Sequence, residues 1–325
     1  MNGILKAAVV VGGMLWAAGG AWAQGATNYP NRPVRVLVGW PAGGGADIVA
    51  RIAAEGLSNS LKQQFNVENR PGASGNLGAE AAARAAPDGY TLLVVGVNHA
   101  SNPFLYSKIA YDPVKDFEPI SLLTGAPNLL VVHPSLPVKN IQELVALARA
   151  KPGSINYGSA GNGTTGHLAM ELFKSTTKIE MQHVPYKGGA QFVTDLAGGQ
   201  VMVGFDNILS SGPHVLSGRM RAIGSSSLRR SPRFPDVPTV AESGYPGFDV
   251  VLWQGLLAPA GTPRDIVDKL NAAVRESVRR PEVQKRFAEL AIESYTGTPE
   301  QFKTFLAKEI DTWGRVIKAV GVRLD

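Results

Sequence analysis

The sequence predicts an α/β fold with two lobes, each a mainly parallel sheet flanked by helices. Short apolar runs rich in β-branched residues, such as VRVLVGW (34–40) and TLLVVG (91–96), alternate with segments of helical periodicity. The alternation begins twice along the chain, and two extended passages separate the two series. Two βα series joined by two chain crossings predict two lobes, and the first lobe should take its closing helices from the C-terminus.

The first βα series precedes residue 100. Its expected elements, in order, are the strand 34–40, a helix in IVARIAAEGLSNSL after the loop PAGGGAD, the strand FNVEN, the Ala-rich helix 77–86, a turn at 87–89 and the strand 91–96. The passage ISLLTGAPNLLVVHP (120–134) then reads as a long extended segment that Gly125 and Pro127 interrupt.

The second βα series follows this passage. Its expected elements are the helix 140–150, the strand 155–158, the helix 165–175, the strand 181–184, the helix 189–196, the strand 201–205, a helix from near Ser210 and the strand 220–224. A Pro- and Gly-rich passage (231–247) leads into VVLWQGLLAP, and helices over 264–279, 281–291 and 299–320 finish the chain. These patterns predict lobe 1 at residues 24–124 plus 250–325 and lobe 2 at residues 125–249.

The N-terminus has the pattern of a secretory signal peptide. Residues 1–23 carry Lys6, an apolar run over 7–18 and then Ala21-Trp22-Ala23, whose small residues fit cleavage before Gln24. An uncleaved membrane anchor is the alternative, but glycines break the apolar run, which is short for a membrane span. The chain contains no cysteine, which excludes disulfides and thiolate metal sites. We therefore expect an exported protein.

The net charge of +6 does not mark a nucleic-acid-binding surface, because the basic residues are scattered along the chain. The densest basic runs, at 229–233 and 279–286, are typical of a loop and a solvated helix face. No recognised nucleic-acid-binding motif accompanies them. We expect no nucleic-acid partner.

Two glycine-rich loops, one in each series, have the composition of anion-binding sites. GWPAGGGAD (39–47) and YGSAGNGTTGH (157–167) each follow a strand and open a helix. Glycine lets backbone N–H groups approach a ligand closely, and the N–H groups of a first helical turn lack partners and carry the positive end of the helix dipole. In the second loop, the hydroxyls of Ser159, Thr164 and Thr165 can also donate to a carboxylate.

The second loop contains the spacing Gly161-x-Gly163-x-x-Gly166, which is also found in dinucleotide-binding loops. Such a site needs an acidic residue at the end of the next strand, and residues 181–189 contain none. No Gly-Lys-Ser/Thr follows either loop, Ser159 is one residue out of register for a G-x-S-x-G elbow, and the histidines lack metal-binding spacing. We therefore expect no nucleotide, cofactor, metal or catalytic residue.

Single polar or aromatic residues beside the loops each have a structural and a ligand-binding interpretation. Asp47 can satisfy backbone N–H groups at the start of the first helix or receive a ligand amino group. Asp206, at the end of a strand, can receive a ligand hydroxyl, ammonium or protonated carboxyl, or cap the next helix. Trp40 can wall the pocket or pack in the core, and Asn98 lies on the same rim. His167 can contact the ligand or support the loop.

The motifs after the signal peptide resemble those of one receptor family over essentially the whole chain. In order, they are YPNRPVRVLVGWPAGGGADIVAR, VENRPGASGNLGAEAAARAAPDGYTLL, NHASNPFLY, YDPVKDFEPISLL, KPGSINYGSAGNGTTGHLAMELF, VPYKGGAQFVTDLAGGQV, FPDVPTVAESGYPGF and WQGLLAPAGTP. This series resembles the tripartite tricarboxylate transporter solute-binding receptors, also called the Bug family.

The resemblance implies a periplasmic, monomeric, non-enzymatic binding protein whose two lobes close like a flytrap on a small organic anion. Di- or tricarboxylates, acidic amino acids and aromatic acids are typical ligands, and the closed form would dock on the membrane subunits of a transporter. The loops 40–47 and 159–167 and the region of Asp206 would hold the ligand. The expected ligand contacts are Trp40, Ala42, Gly43, Gly44, Gly45, Asp47, Asn98, Ser159, Gly161, Thr164, Thr165, His167 and Asp206.

Two other functions stay open from the sequence. An exported enzyme such as a hydrolase would need a nucleophile and a base, which no motif supplies. A ligand sensor that feeds a two-component kinase would use the same closed form as a transport receptor. The identity of the acid is also open, because Gly45 and Ala46 lie where related receptors often carry larger residues.

Overall fold

A computed structural model of the chain describes residues 28–43, 45–186, 188–290 and 292–324. The predicted signal peptide and Gly44 lie outside the described residues. The strands are Val34–Val38 (β1), Phe65–Asn69 (β2), Thr91–Gly96 (β3), Phe117–Val132 (β4), Asn156–Ser159 (β5), Gln182–Pro185 (β6), Val203–Asn207 (β7), Arg221–Ser225 (β8), Val251–Pro259 (β9) and Glu293–Ser294 (β10). The α-helices are Gly45–Leu61 (α1), Asn76–Ala83 (α2), Val97–Leu105 (α3), Ile141–Ala150 (α4), Thr165–Thr177 (α5), Gly189–Ala197 (α6), Ile208–Leu216 (α7), Arg264–Ser277 (α8), Pro281–Glu289 (α9) and Pro299–Val320 (α10).

The strands form one path in the order β2-β1-β3-β9-β4-β7-β5-β6, with β8 and β10 also paired to β4. We call β2, β1, β3 and β9 the first half of the sheet, and β7, β5, β6 and β8 the second half. In each half the pairs farthest from β4 are parallel, namely β1 with β2 and β3, and β5 with β6 and β7. The pairs that join β9, β7 and β8 to β4 are antiparallel.

Strand β4 belongs to both halves. Its residues up to Pro127 pair with β9, and those from Asn128 onward pair with β7 and β8. The sequence predicts an interruption at Gly125 and Pro127, whereas the structure keeps both residues in the ladder with β9. Gly125 serves a close approach here, because a Cβ at this position would lie 2.8 Å from the ring of Tyr295.

Side-chain caps explain where several helices begin. The side chain of Asn140 accepts a hydrogen bond from the Glu143 N–H at the start of α4, and Thr298 forms a capping box at the start of α10. Helix α3 has no such cap and contains Pro103, so the sequence predicts only a rim after β3 where the structure forms a helix. As a result, Asn98 lies in the first turn of α3.

The C-terminal helices pack on the first half of the sheet. Helix α8 crosses α1 so closely that a Cβ on Gly56 would overlap the Ser277 hydroxyl, and α10 contacts α3, β4 and α5. The largest buried cluster is continuous from Leu93 and Leu105 in the first half to Phe173 and Phe205 in the second. Within the described part of the chain, no helix combines the length and the apolar composition that a membrane crossing requires.

Candidate functional site

The register of the sheet brings the carboxyl ends of strands from both halves to the same stretch of β4. Gly96 at the end of β3 pairs with Gln254 of β9, which in turn pairs with Thr124 of β4. On the other side, Asn207 at the end of β7 pairs with Asn128 of β4. The starts of α3 and α7, which follow β3 and β7 directly, therefore lie on either side of β4 residues 124–128. The two glycine-rich loops follow the parallel neighbours β1 and β5 at the same edge of the sheet, where ligands of α/β sheets commonly bind.

Asp47 holds the first loop (39–47) in place through hydrogen bonds. This carboxylate accepts hydrogen bonds from the Gly43 N–H (2.9 Å), from Arg51 Nε (2.9 Å) and from Asn69 Nδ2 (2.9 Å). Asn69 also donates to the backbone oxygen of Trp40 (2.9 Å), so one amide joins both ends of the loop. The side chain of Asp47 is 3% exposed, and its acceptor oxygens are committed within the protein.

The charge of Asp47 is stabilised at this position. The hydrogen bond from Arg51 is the main cause that lowers the pKa of Asp47 to about 2, and the Gly43 N–H and Asn69 add to it against the cost of burial. The arrangement fits the structural interpretation of Asp47. Gly43 itself has a φ of +83°, which glycine adopts without strain, and Ala42, Gly43 and Gly45 are exposed to solvent.

A small open pocket lies beside the first loop, and Trp40 and Asn98 both contribute to its lining. Its other lining residues all precede β4 in the chain, among them Ser74, His99, Asn102 and Tyr111. Trp40 is half-buried and contributes to the wall, and no hydrogen bond within the described residues engages the half-buried amide of Asn98. That amide is thus available to a ligand.

Two hydroxyl groups of the second loop (157–167) form hydrogen bonds with the loop's own backbone. Thr164 caps α5: its Oγ1 donates to the Gly161 oxygen (2.8 Å) and accepts from the His167 N–H (3.5 Å). The Oγ of Ser159 is fully buried and accepts from the Gly161 N–H (3.2 Å). Among the described residues, the half-buried Thr165 hydroxyl has no hydrogen-bond partner, nor do the N–H groups of Thr165 and Gly166 at the start of α5.

Two histidines lie beneath the second loop. His167 is 1% exposed, and its Nδ1 accepts from the Gly163 N–H (3.1 Å). Its ring stacks on His183, with centroids 4.1 Å apart, and His183 Nε2 lies 2.7 Å from Ser159 Oγ. Burial lowers the pKa of both imidazoles to about 4, so both are neutral at neutral pH. The His167 side chain, buried in the protein, therefore supports the conformation of the loop.

Asp206, the residue before the end of β7, lies beside the first turn of α5, where a Cβ on Gly166 would lie 2.3 Å from the Phe205 oxygen. The Asp206 side chain accepts a hydrogen bond from Ser210 Oγ in α7 and is 6% exposed. Burial raises its pKa to about 6, so this carboxyl gains a proton in mildly acidic conditions and can then donate as well as accept.

The structure thus separates the predicted ligand contacts into two groups. The first group has polar groups that are free to bind a ligand, and it consists of Asn98, Thr165 and the exposed backbone of the first loop. The second group has its polar groups engaged in hydrogen bonds inside the protein, and it consists of Asp47, Ser159, Thr164 and His167. Gly44, which is also a predicted contact, lies outside the described residues. Gly161 is half-buried, with a φ of +136°.

Two residues that hold the loops, Asn69 and His183, are not among the predicted contacts. Asn69 ends β2 in register with Val38 at the end of β1, so its position at the carboxyl end of a neighbouring parallel strand was a usable signal. His183 pairs with Tyr157 across β5 and β6, and nothing in the sequence distinguished it from a surface or core histidine. Among the described residues, no group of His, Asp and Glu side chains is arranged to hold a metal ion.

The Ser159–His183 pair has the separation of a nucleophile and its base, but its surroundings differ from those of a catalytic pair. Ser159 is fully buried, and its hydroxyl also bonds the backbone of Gly161 on both sides, to the N–H and to the oxygen (3.1 Å). The pair joins β6 to the loop, which is a structural contribution.

Comparison with known proteins agrees with the motifs and the topology. A family model described as the tripartite tricarboxylate transporter family receptor matches residues 49–322. Protein BugT of Bordetella pertussis is 36% identical over 320 residues, which cover 97% of each chain. A protein of R. palustris, solved with adipate, is 37% identical with a TM-score of 0.77, over 91% of this chain and 99% of its own. MatC of Rhodopseudomonas palustris, solved with bound malate, is 35% identical with a TM-score of 0.73, over 89% of this chain and 100% of its own.

These similarities extend over nearly the whole described chain and confirm the predicted two-lobed α/β binding-protein fold. They also confirm the family that the order of motifs indicates. The chain belongs to the tripartite tricarboxylate transporter receptors, the Bug family.

Proposed function

We propose that this receptor works in the periplasm, where it captures a small di- or tricarboxylate between two lobes and delivers it to the membrane subunits of a tripartite tricarboxylate-type transporter. The register of the sheet is the observation that carries the proposal. The two glycine-rich loops follow β1 and β5, which lie on opposite sides of β4 in the strand order. Their parallel neighbours β3 and β7 end level with β4 residues 124–128.

Both loops can bind a carboxylate even though neither contains a cationic side chain. Residues 39–47 and 157–167 contain neither Lys nor Arg. The first loop offers exposed backbone at Ala42 and Gly45, and the second offers the Thr165 hydroxyl together with the free N–H groups at the start of α5. Hydrogen bonds from such groups to a charged acceptor are stronger than neutral ones and offset the cost of desolvating the carboxylate.

The class of ligand follows from the relatives. The R. palustris protein was solved with adipate and MatC with malate, at 37% and 35% identity to this chain. Both compounds are short aliphatic dicarboxylates, so we propose an aliphatic diacid for this receptor ahead of an aromatic one. A diacid also matches two separated loops, because each loop can hold one carboxylate.

Closure would proceed as a hinge motion of lobe 1 (24–124 plus 250–325) against lobe 2 (125–249). Ser226 joins the two chain crossings: its Oγ accepts from the Asn128 N–H (2.9 Å) and donates to the Val250 oxygen. A ligand that contacts both loops interacts more with the closed state and shifts the equilibrium towards it. A micromolar ligand supplies about 8 kcal/mol, enough to bias such a hinge.

The receptor needs no chemistry beyond binding and closure, and we propose that it acts as a monomer without enzymatic activity. The closed state is the form that the transporter's membrane subunits would recognise. A sensor kinase could recognise the same form, and the two uses differ only in the partner that the closed receptor meets.

Calorimetric titration of the purified protein tests the proposal, with adipate, malate, citrate and terephthalate as ligands and dimethyl adipate as the uncharged control. We expect a diacid to bind with a dissociation constant in the micromolar range and its dimethyl ester not to bind. At 100 times that constant, the ligand should add about 2.7 kcal/mol to the free energy of unfolding. Equal binding of the acid and the ester, or no binding of any acid by folded protein, would overturn the proposal.

A further inference from the structure

His183 lies outside the second loop but contacts the two side chains that hold it. It is a half-buried residue of β6, the strand at the end of the sheet path. Its Nε2 lies 2.7 Å from Ser159 Oγ. Its ring stacks on His167, with centroids 4.1 Å apart and planes 19° apart, and on Tyr157, with centroids 4.8 Å apart and planes 16° apart.

The backbone of the second loop depends on the two residues that His183 contacts. The Gly161 N–H donates to Ser159 Oγ (3.2 Å), and the Gly163 N–H donates to His167 Nδ1 (3.1 Å). Gly161 and Gly163 both have positive φ, at +136° and +74°, so the loop needs external contacts to select this conformation among those open to glycine. The same turn places Thr164 and Thr165 at the start of α5.

We propose that His183 is a positioning residue for ligand binding: through Ser159 and His167 it fixes the turn at Gly161 and Gly163, and thereby the start of α5 that meets the ligand. This inference rests on the proposed function, because the turn matters for affinity only if the second loop holds the acid. His183 itself does not contact the ligand in this account.

The charge state of the two imidazoles agrees with this role. His167 Nδ1 accepts a hydrogen bond from Gly163, so this nitrogen carries no proton in the structure. The titratable and charged groups near both rings are Tyr157, Glu171 and Lys174. Lys174 donates to Glu171 (2.7 and 2.9 Å), which also accepts from the Tyr157 hydroxyl. A proton on His167 Nδ1 would remove its bond to Gly163 and place a cation against the ring of His183.

Amide hydrogen exchange at Gly161 and Gly163, followed by NMR on the ligand-free protein, reads the positioning directly. His183→Phe keeps an aromatic ring for stacking but removes the bond to Ser159, whereas His183→Gln keeps a bonding group but removes the stack. Ser159→Ala removes the same bond from the other side, together with the acceptor of the Gly161 N–H, and leaves β6 intact. His133→Gln is the matched control, because half-buried His133 also bonds a serine hydroxyl, that of Ser135 at 2.7 Å, away from the loop.

We expect exchange at Gly161 to become about tenfold faster in His183→Phe and at least as fast in Ser159→Ala, which removes the acceptor itself. Adding His183→Phe to Ser159→Ala should not speed exchange at Gly161 further. His183→Gln should keep the protection of Gly161 but speed exchange at Gly163, because it loses the stack on His167, and His133→Gln should change neither. Wild-type exchange at Gly161 in His183→Phe, or equal acceleration in the control, would overturn the inference. Should His183→Phe fail to fold, His183→Gln decides the matter: wild-type exchange at Gly163 in this variant would overturn the inference.

Titration with adipate, or with the acid from the calorimetric panel that binds most tightly, supplies the second readout. His183→Phe should raise the dissociation constant about tenfold, while His183→Gln recovers part of the loss and His133→Gln matches wild type. Faster exchange at Gly161 with an unchanged dissociation constant would contradict the role of His183 in binding. If wild type binds none of the acids, the proposed function fails, while the exchange data still report whether His183 holds the loop.

Discussion

Replacement of Asp47 by asparagine tests how the first loop is held. The variant keeps the size of the side chain but removes the negative charge that receives hydrogen bonds from Gly43, Arg51 and Asn69. Asparagine has a single acceptor oxygen, so at least one of these donors loses its partner. The loop between Trp40 and Asp47 should loosen in consequence.

The pKa of Asp47 sets the size of the effect. A decrease from 3.8 to about 2 corresponds to about 2.5 kcal/mol of stabilisation at neutral pH. Arg51 is half exposed, which screens part of the attraction, so we expect Asp47→Asn to lower the free energy of unfolding by about 1–2 kcal/mol. Because the folded state has the lower pKa, this stabilisation is complete well above pH 4 and is lost as the pH falls towards 2. The difference between the variant and wild type should therefore shrink by about half between pH 5 and pH 3.

Urea unfolding followed by circular dichroism measures the difference, with Asp268→Asn as the control. Asp268 also forms an i,i+4 pair with an arginine, Arg264 (2.8 Å), but both side chains are more than half exposed. Such an exposed pair contributes less than about 1 kcal/mol, so the control should stay close to wild type. A loss in Asp47→Asn no greater than that in Asp268→Asn would refute the reasoning.

Three further predictions concern the second loop and the response to acid. Thr165→Ala should weaken binding of the cognate acid about tenfold while leaving the urea midpoint unchanged; wild-type affinity in calorimetry would contradict this. Gly163→Ala should lower the free energy of unfolding by about 1–2 kcal/mol in urea titrations, because its Cβ would lie 2.9 Å from Leu105 at a φ of +74°; a neutral effect would contradict the close approach. Acid should destabilise the protein from about pH 6.5 down to pH 4, because the buried His99 and His167 and the half-buried His183 stay neutral in the fold with pKa values of about 4 but gain protons on unfolding. This outweighs the opposing effect of three carboxyls whose pKa values burial raises, those of Asp206, Asp249 and Glu309. Urea midpoints that stay constant over that range would contradict those assignments.

Much of the fold was predictable because hydrophobic periodicity and glycine-rich turns mark α/β units clearly. The strand FNVEN and the helix at the C-terminus, for example, match β2 and α10 within their predicted bounds. Helix α3 was not predicted, because it is short, lacks a capping side chain and contains Pro103; packing against α10 stabilises it instead. The continuity of β4 through Gly125 and Pro127 depends on pairing with β9, which is distant in the sequence.

The site was predictable at the level of loops and less so at the level of single atoms. Glycines followed by a helix start identify both loops, since the physical reason for anion binding is local in the sequence. Whether a side chain faces the ligand or the protein depends on neighbours elsewhere in the chain. Asp47 is engaged by Asn69 from β2, and Ser159 by His183 from β6, so tertiary contacts decide both cases.

A crystal structure of the protein with the acid that binds most tightly in the calorimetric panel tests the central claim most directly. We predict one carboxylate within hydrogen-bond distance of the backbone N–H groups at Ala42 and Gly45, and the other at the Thr165 hydroxyl and the first N–H groups of α5. An acid bound to one half of the sheet alone, or held by lysine or arginine side chains away from both loops, would contradict the account.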